Sequence, residues 1–213
     1  MDSMKGTAKN RVKGTKNIQT GDTTTRILNQ AMRLFLEKGY HGTSIDDITK
    51  AAGLTKGALY WHFKNKGDLL RRITGEFEKR YLDNLIHAVE GVKGGALDKF
   101  EKYIRFNSAF AYHNRELCVS FETLAAELIG SQHRIEAEFR RIFKKYQTFL
   151  ADLIIQGKKE SIFKKELDTD LSALAFMAFH FGVLVRWSMH RNEINGEAFV
   201  KTFKKIMLNG LMA

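Results

Sequence analysis

The sequence predicts an all-α protein of about nine helices. Three observations carry that expectation. The 213 residues contain no proline, a residue that sheet proteins use in turns and at strand edges. Apolar residues recur at three- and four-residue spacing from Ile27 almost to the end of the chain. The breaks between these stripes carry Gly, Asn, Asp or Thr, residues suited to helix caps.

Residues 1–21 are polar and carry Lys5, Lys9, Arg11, Lys13 and Lys16. They read as a disordered basic arm, either solvated or lying on a polyanion. A first helix starts near Asp22–Thr24, places Ile27, Ala31, Leu34 and Phe35 on one stripe, and ends at Gly39. Thr43 is expected to cap a second helix, with Asp46 as its capping-box partner, Ile45 and Ile48 inward, and Gly53 as the break. Thr55 caps a short third helix from Lys56 to about Phe63, anchored by Leu59 and Phe63. Asn65 and Asp68 open a fourth, through Leu69, Leu70, Ile73, Phe77, Tyr81 and Leu85 to about Val89. Gly91, Gly94 and Gly95 mark a boundary. Helices then follow over Phe100 to Tyr112, Leu117 to Ile129, His133 to Lys159, Asp168 to His190 and Glu197 to Leu211. The expected division is an arm (1–21), a small helical domain (22–70) and a larger one (71–213).

The formal net charge of +11 suits a polyanionic partner. With Cys118 as its single cysteine, the chain can form no internal disulfide and offers no zinc cluster, which fits a reducing cytoplasm. The longest apolar run, Leu171 to Val185, falls short of the ~20 residues of a membrane span and reads as a buried helix. The N-terminus carries no apolar signal segment. No phosphate loop, dinucleotide glycine motif, His-Glu-x-x-His or nucleophile elbow is present, and the histidines are not paired at i, i+4. Neither an enzyme, a cofactor nor a metal site is expected.

Two helices joined by a tight turn at Gly53, with Ala51 and Ala52 allowing close approach, make a helix-turn-helix. The free side of the third helix shows Lys56, Gly57, Ala58, Tyr60, Trp61 and His62. Exposed aromatics beside a lysine are unusual for a solvated face and suit DNA. Lys56 is placed to donate to a guanine edge, and Gly57 removes a side chain where backbone must approach. Tyr60, His62 and Lys66 are candidates for phosphate contacts. Thr43, Ser44 and Thr55, at helix N-termini, complete the candidate DNA-binding set. For Trp61, packing between helices remains an equal alternative.

The run Gly39-Tyr40-His41-Gly42-Thr43-Ser44-Ile45, then Ile48, Ala51-Ala52-Gly53-Leu54 and Thr55-Lys56-Gly57-Ala58-Leu59-Tyr60-Trp61-His62-Phe63-Lys64-Asn65-Lys66, resembles the N-terminal domain of the TetR/AcrR family of repressors. The resemblance implies a helical homodimer with one recognition helix per subunit, bound to a palindromic operator. It further implies a small-molecule effector that enters the C-terminal domain, moves the fourth helix and releases the DNA.

That second domain is rich in aromatics. Phe77, Tyr81, Phe100, Tyr103, Phe106, Phe110, Phe121, Phe139, Phe143, Tyr146, Phe149, Phe176 and Phe179 line an apolar cavity or simply form core, with His113, Glu127 and His180 as polar anchors. The helix at 169–190 is apolar nearly all round and must be covered on both sides. Ala178, Phe181, Gly182 and Val185, with Phe199, Phe203 and Met207 of the last helix, are the candidate dimer face; a larger monomeric core is the alternative. Arg134, Arg140, Arg141, Lys144 and Lys145 make a basic face, either solvated or drawing an anionic ligand. The functional rival is an architectural DNA-binding protein without a ligand, which would leave the aromatic domain unexplained.

Overall fold

The computed structural model describes residues 16–130, 134–190 and 193–212, with side-chain environments from residue 23. Among the described residues it contains nine helices and no strand. They are α1 (Lys16–Lys38), α2 (Ile45–Ala52), α3 (Lys56–His62), α4, α5 (Ala96–His113), α6 (Arg115–Glu127), α7 (Arg134–Lys159), α8 (Thr169–Met189) and α9 (Gly196–Leu211). Helix α4 joins Lys66–Phe77, a π-helical turn Glu78–Asp83 and Asn84–Glu90 without leaving helical backbone.

Local chemistry sets these boundaries. Thr55, Asn65, Asp168 and Asn195 accept from the amides of Ala58, Asp68, Leu171 and Ala198, closing the first turns of α3, α4, α8 and α9. At α2 the expected cap is corrected by one residue. Ser44 is the N-cap and Asp47 its reciprocal partner. Thr43 is instead buried, its hydroxyl within 3.1 Å of Leu34 O and 2.8 Å of Gly39 O. Gly53 ends α2 with φ of 62° and so supplies the left-handed residue of the turn. Gly42 is required for a different reason: a Cβ there would lie 2.2 Å from Lys38 O.

Helix α1 begins at Lys16, so the expected arm loses its last six residues, 16–21, to helix. The rest of the arm, 1–15, lies outside the described residues. The expected division at residue 70 falls within α4, which runs through both parts. Ile27, Phe35, Ile48, Leu59 and Leu69 pack the small N-terminal domain. That core continues without interruption into the larger one through α1 against α6 and α4 against α6 and α7.

Candidate functional site

Helix α3 is held by one side only. Leu59 and Phe63 are buried, while Tyr60 is 51% and Trp61 76% exposed. Trp61 therefore does not pack between helices; it meets His62 edge-on at 5.0 Å and otherwise faces outward. An indole left this open is an apolar surface awaiting a partner. Gly57 is exposed, and a Cβ there would meet nothing nearer than Thr55 Oγ1 at 3.9 Å. The fold itself does not demand a glycine at this position.

Lys56 is exposed and its Nζ lies 2.8 Å from Asp46 Oδ1 of α2, which raises its pKa. Ala58 is half-buried, and Thr55 is exposed with its hydroxyl engaged at the cap. Ser44 is exposed but tied to Asp47, and those bonds hold the Asp47 carboxyl down at about 2. His62 is half-buried and places Nδ1 3.1 Å from Thr24 Oγ1.

Two members of the expected DNA-binding set have internal roles. Thr43 is enclosed, as described. Lys66 donates to Tyr40 O at 2.7 Å and Thr43 O at 2.8 Å, and sits 4.3 Å from the Tyr40 ring. It fastens the start of α4 to the α1–α2 turn, and partial burial lowers its pKa.

In the larger domain a cavity of about 20 Å³ lies between α4, α6, α7 and α8. It has room for about one water. Phe77, Tyr81, Phe121, Phe143 and His180 line it as expected. Five further expected ligand residues do not. Phe176 is buried against Phe100, and Tyr103 is core, its hydroxyl 2.8 Å from that of Tyr146. Phe106 and Phe110 stack on each other beside Tyr81, outside the cavity wall. Glu127 lies elsewhere altogether. His113, a further expected anchor, bonds to Ala109 O at its own helix end.

Sequence reasoning missed Leu82, Cys118, Glu122, Ile142 and Leu184, and assigned Phe181 to the dimer face although it lines the cavity. Glu122 had a legible signal: an acid one turn from Cys118, inside the apolar stripe of Leu117, Phe121 and Leu124. Beside the cavity runs a buried polar chain. Tyr81 donates to Asn107 Oδ1 at 2.5 Å, and its hydroxyl lies 3.1 Å from that of Tyr146 and 3.5 Å from His180 Nδ1. Burial holds the His180 imidazole neutral, with its pKa lowered to about 4, and pushes the Cys118 thiol up to about 12.

Glu127 ends α6, the helix that carries Cys118, Phe121 and Glu122. Its carboxylate accepts from the amides of Tyr40 at 2.7 Å and His41 at 2.9 Å. It thus clasps the cavity domain to the α1–α2 turn beside Lys66. Of the expected basic face of α7, three members pair with acids, Lys144 donates to Gln147, and the Arg134 side chain lies outside the described residues. Arg141 pairs with Glu78 and Glu138, Lys145 with Glu78 and Asp83, and Arg140 with Glu136. The Arg141 guanidinium beside Glu78 holds that carboxyl at about 2.

Residues 27–73 match the family described as "Bacterial regulatory proteins, tetR family". The HTH-type transcriptional regulator AcrR of Shigella flexneri is 46% identical over 67 residues, 28% of this chain and 31% of that protein. The HTH-type transcriptional repressor KstR2 of Mycobacterium tuberculosis is 27% identical over 209 residues, 94% of this chain and 96% of that one. The crystal structure of the MbdR regulator from Azoarcus sp. CIB superposes with a TM-score of 0.80 at 29% identity, covering 90% of this chain and all of that one. Residues 27–73 are a DNA-binding domain of the TetR family. The chain is accordingly a DNA-binding regulator of transcription, with α2–α3 as its helix-turn-helix.

The expected dimer residues divide. Ala178 and Gly182 are exposed, and a Cβ at Gly182 would meet nothing within 4 Å. Val185, Phe199 and Phe203 are half-buried, Phe203 lying 6.1 Å from Phe179. Met207 is corrected to the interior, because α9 turns it into the core beside Leu211. Helix α8 is long and apolar enough to cross a membrane, yet Leu171, Leu174, Phe179 and Met189 are between 47% and 67% exposed. The expected burial on both sides therefore does not occur within one chain.

Proposed function

We propose that the chain is a dimeric repressor that binds a palindromic operator through α3 and releases it when an apolar effector opens the cavity between α4, α6, α7 and α8. The observation that carries this reading is the cavity itself. It is walled by aromatics and nearly closed, and its walls connect directly to the DNA-binding domain. An effector larger than water must displace Phe77 and Tyr81 on α4 or Phe121 on α6. Helix α4 starts at Lys66 and α6 ends at Glu127, and both residues hold the α1–α2 turn. Displacement at one end therefore reorients the helix-turn-helix at the other.

In this reading Lys56 reads a base edge, Tyr60, Trp61 and His62 meet the sugar–phosphate backbone, and Gly57 lets the two backbones approach. Ser44, Thr55 and Ala58 lie at the same face. Two copies of α3 reach half-sites one turn of DNA apart, about 34–36 Å. A small change in their separation breaks the register. KstR2 of Mycobacterium tuberculosis is described as a ketosteroid transcriptional regulator, which supports an apolar effector for this fold. The chain then works in the cytoplasm, beside the chromosome.

Selection of bound duplexes from a random pool tests the DNA half. The expected outcome is an inverted repeat with a strong preference over random sequence. Equal affinity for every duplex at fixed salt would favour the architectural alternative.

A further inference from the structure

One polar group of the cavity has no partner among the described residues. Glu122 lies on the inward side of α6, half-buried in the cavity wall with Phe77, Phe121 and Phe143, and burial raises its carboxyl to about 7. The other polar groups there are matched or neutral: Tyr81 and Tyr146 are joined, His180 faces the Tyr81 hydroxyl, and Cys118 holds its proton. Among the described residues no hydrogen-bond donor or cation meets the Glu122 carboxyl. No lysine or arginine lines the cavity. The cations outside it are engaged elsewhere: Arg141 and Lys145 face Glu78 and Asp83, and Arg80, which acts on Cys118, donates to Asn114. Burying a carboxyl without a partner is costly, and the cost recurs in every folded copy.

We propose that the effector is an apolar amine or related organic cation whose positive group seats against Glu122 while its apolar part parts the surrounding rings. This rests on the cavity being the effector site and adds the chemistry of its ligand. A cation supplies the countercharge that Glu122 lacks. It also meets aromatic faces: Phe77 and Phe121 stack with centroids 3.7 Å apart, and Phe143 stands edge-on to Phe121 at 5.5 Å. A cation near such faces gains further attraction in a site without water. A carboxylate or phosphate would bring a second negative group to a wall with no positive one. The neutral His180 offers it no charge, and repulsion from Glu122 would oppose it. A neutral alcohol fits the apolar wall but leaves the carboxylate uncompensated.

Three probes with one hydrophobe separate these cases: decylamine, decanol and decanoate, with phenylbutylamine, phenylbutanol and phenylbutyrate as a compact aromatic set. Binding is measured by calorimetry on the full-length protein at pH 7.5, for the parent and for Glu122→Gln. Release of a fluorescent operator is followed in parallel. The expected result is a preference of about tenfold or more for the amine over the alcohol, the worth of one charge-assisted contact. The carboxylate should bind most weakly. Glu122→Gln should erase the amine preference while the alcohol still binds, which distinguishes loss of the charge from loss of the fold. An amine no tighter than its alcohol, a carboxylate tighter than both, an equal loss of amine and alcohol in Glu122→Gln, or no binding by any probe would each overturn the proposal. Operator release by the alcohols without an amine preference would retain the effector reading and reject this inference. Preferential amine binding without release would retain the site and reject the effector reading.

Discussion

At the residue scale, the most informative side chains are those whose partners differ from what spacing suggests. Lys56 and Lys66 both look like DNA-facing lysines in the sequence. Lys56 is exposed beside Asp46, whereas Lys66 is turned inward onto two carbonyls and a tyrosine ring. Nothing in the local sequence distinguishes them, because the carbonyls come from Tyr40 and Thr43, over twenty residues earlier. Lys56→Ala should therefore cost about 1–3 kcal/mol of operator affinity and relax preference at one base pair per half-site. Lys66→Ala should instead lower stability by about 1–3 kcal/mol, since it leaves Thr43 O without its donor and Tyr40 O with only the Thr43 amide, and leave the salt slope of DNA binding nearly unchanged. Thermal unfolding together with salt-dependent binding curves checks both outcomes. Glu122 makes a separate prediction. The folded chain holds its proton up to about pH 7, above the ordinary value of 4.5, because burial penalises the charged form. An unfolded chain releases that proton earlier, so this group's contribution to stability falls as pH rises from about 4.5 to 7. His180 works in the opposite direction between 6.5 and about 4, and the tyrosines and Cys118 that face the cavity stay neutral throughout. Denaturant unfolding at pH 5 and pH 7.5 should show Glu122→Gln gaining stability relative to the parent at the higher pH, by up to about 3 kcal/mol.

At the element scale, the helices and their order were legible because caps and 3.6-residue stripes are local signals. Thr55, Asn65 and Asp168 mark starts, and Gly53 and Gly130 mark ends with positive φ. The π-helical turn at Glu78–Asp83 was not legible. It adds one residue to a turn, but the four-residue spacing of Ile73, Phe77, Tyr81 and Leu85 reads equally as an ordinary α-helix. It lies in α4 at the cavity wall, where Tyr81 reaches Asn107 and Tyr146. The clasp by Glu127 was equally hidden, since a carboxylate at a helix end reads as an anchor or as solvated until its distant amide partners are known. Glu127→Ala removes the acceptor of two amides while leaving the cavity wall intact. The expected outcome is a folded protein that binds operator and effector but whose operator affinity responds at least about fivefold less to the effector. Operator titrations with and without saturating effector measure that coupling; an unchanged ratio would place the link in α4 alone.

At the scale of the whole molecule, the largest departure from the sequence reading is α8. Its composition demands cover on both sides, but the single chain covers only one. Ala173, Phe176 and Leu184 are buried, whereas Leu171, Leu174, Phe179 and Met189 are not. A helix of this composition also suits a bilayer by length. Its N-cap at Asp168 and its packing along α7, in a chain that carries a DNA-binding helix-turn-helix, suit the proposed second copy of the chain as the cover. Gly182 and Ala178 leave open space on the exposed side, where a partner helix can approach closely. An aspartate at Gly182 would put an unpaired charge into that contact, at a position where the monomer itself has room for it. Gly182→Asp should consequently unfold as a normal monomer yet fail to dimerise, with mass in light scattering falling by half. Operator affinity should fall much further than half-site affinity, because the two half-sites are no longer bound through one linked unit. A variant of unchanged mass would move the dimer contact away from α8, and a monomer with undiminished operator affinity would remove the need for a palindrome.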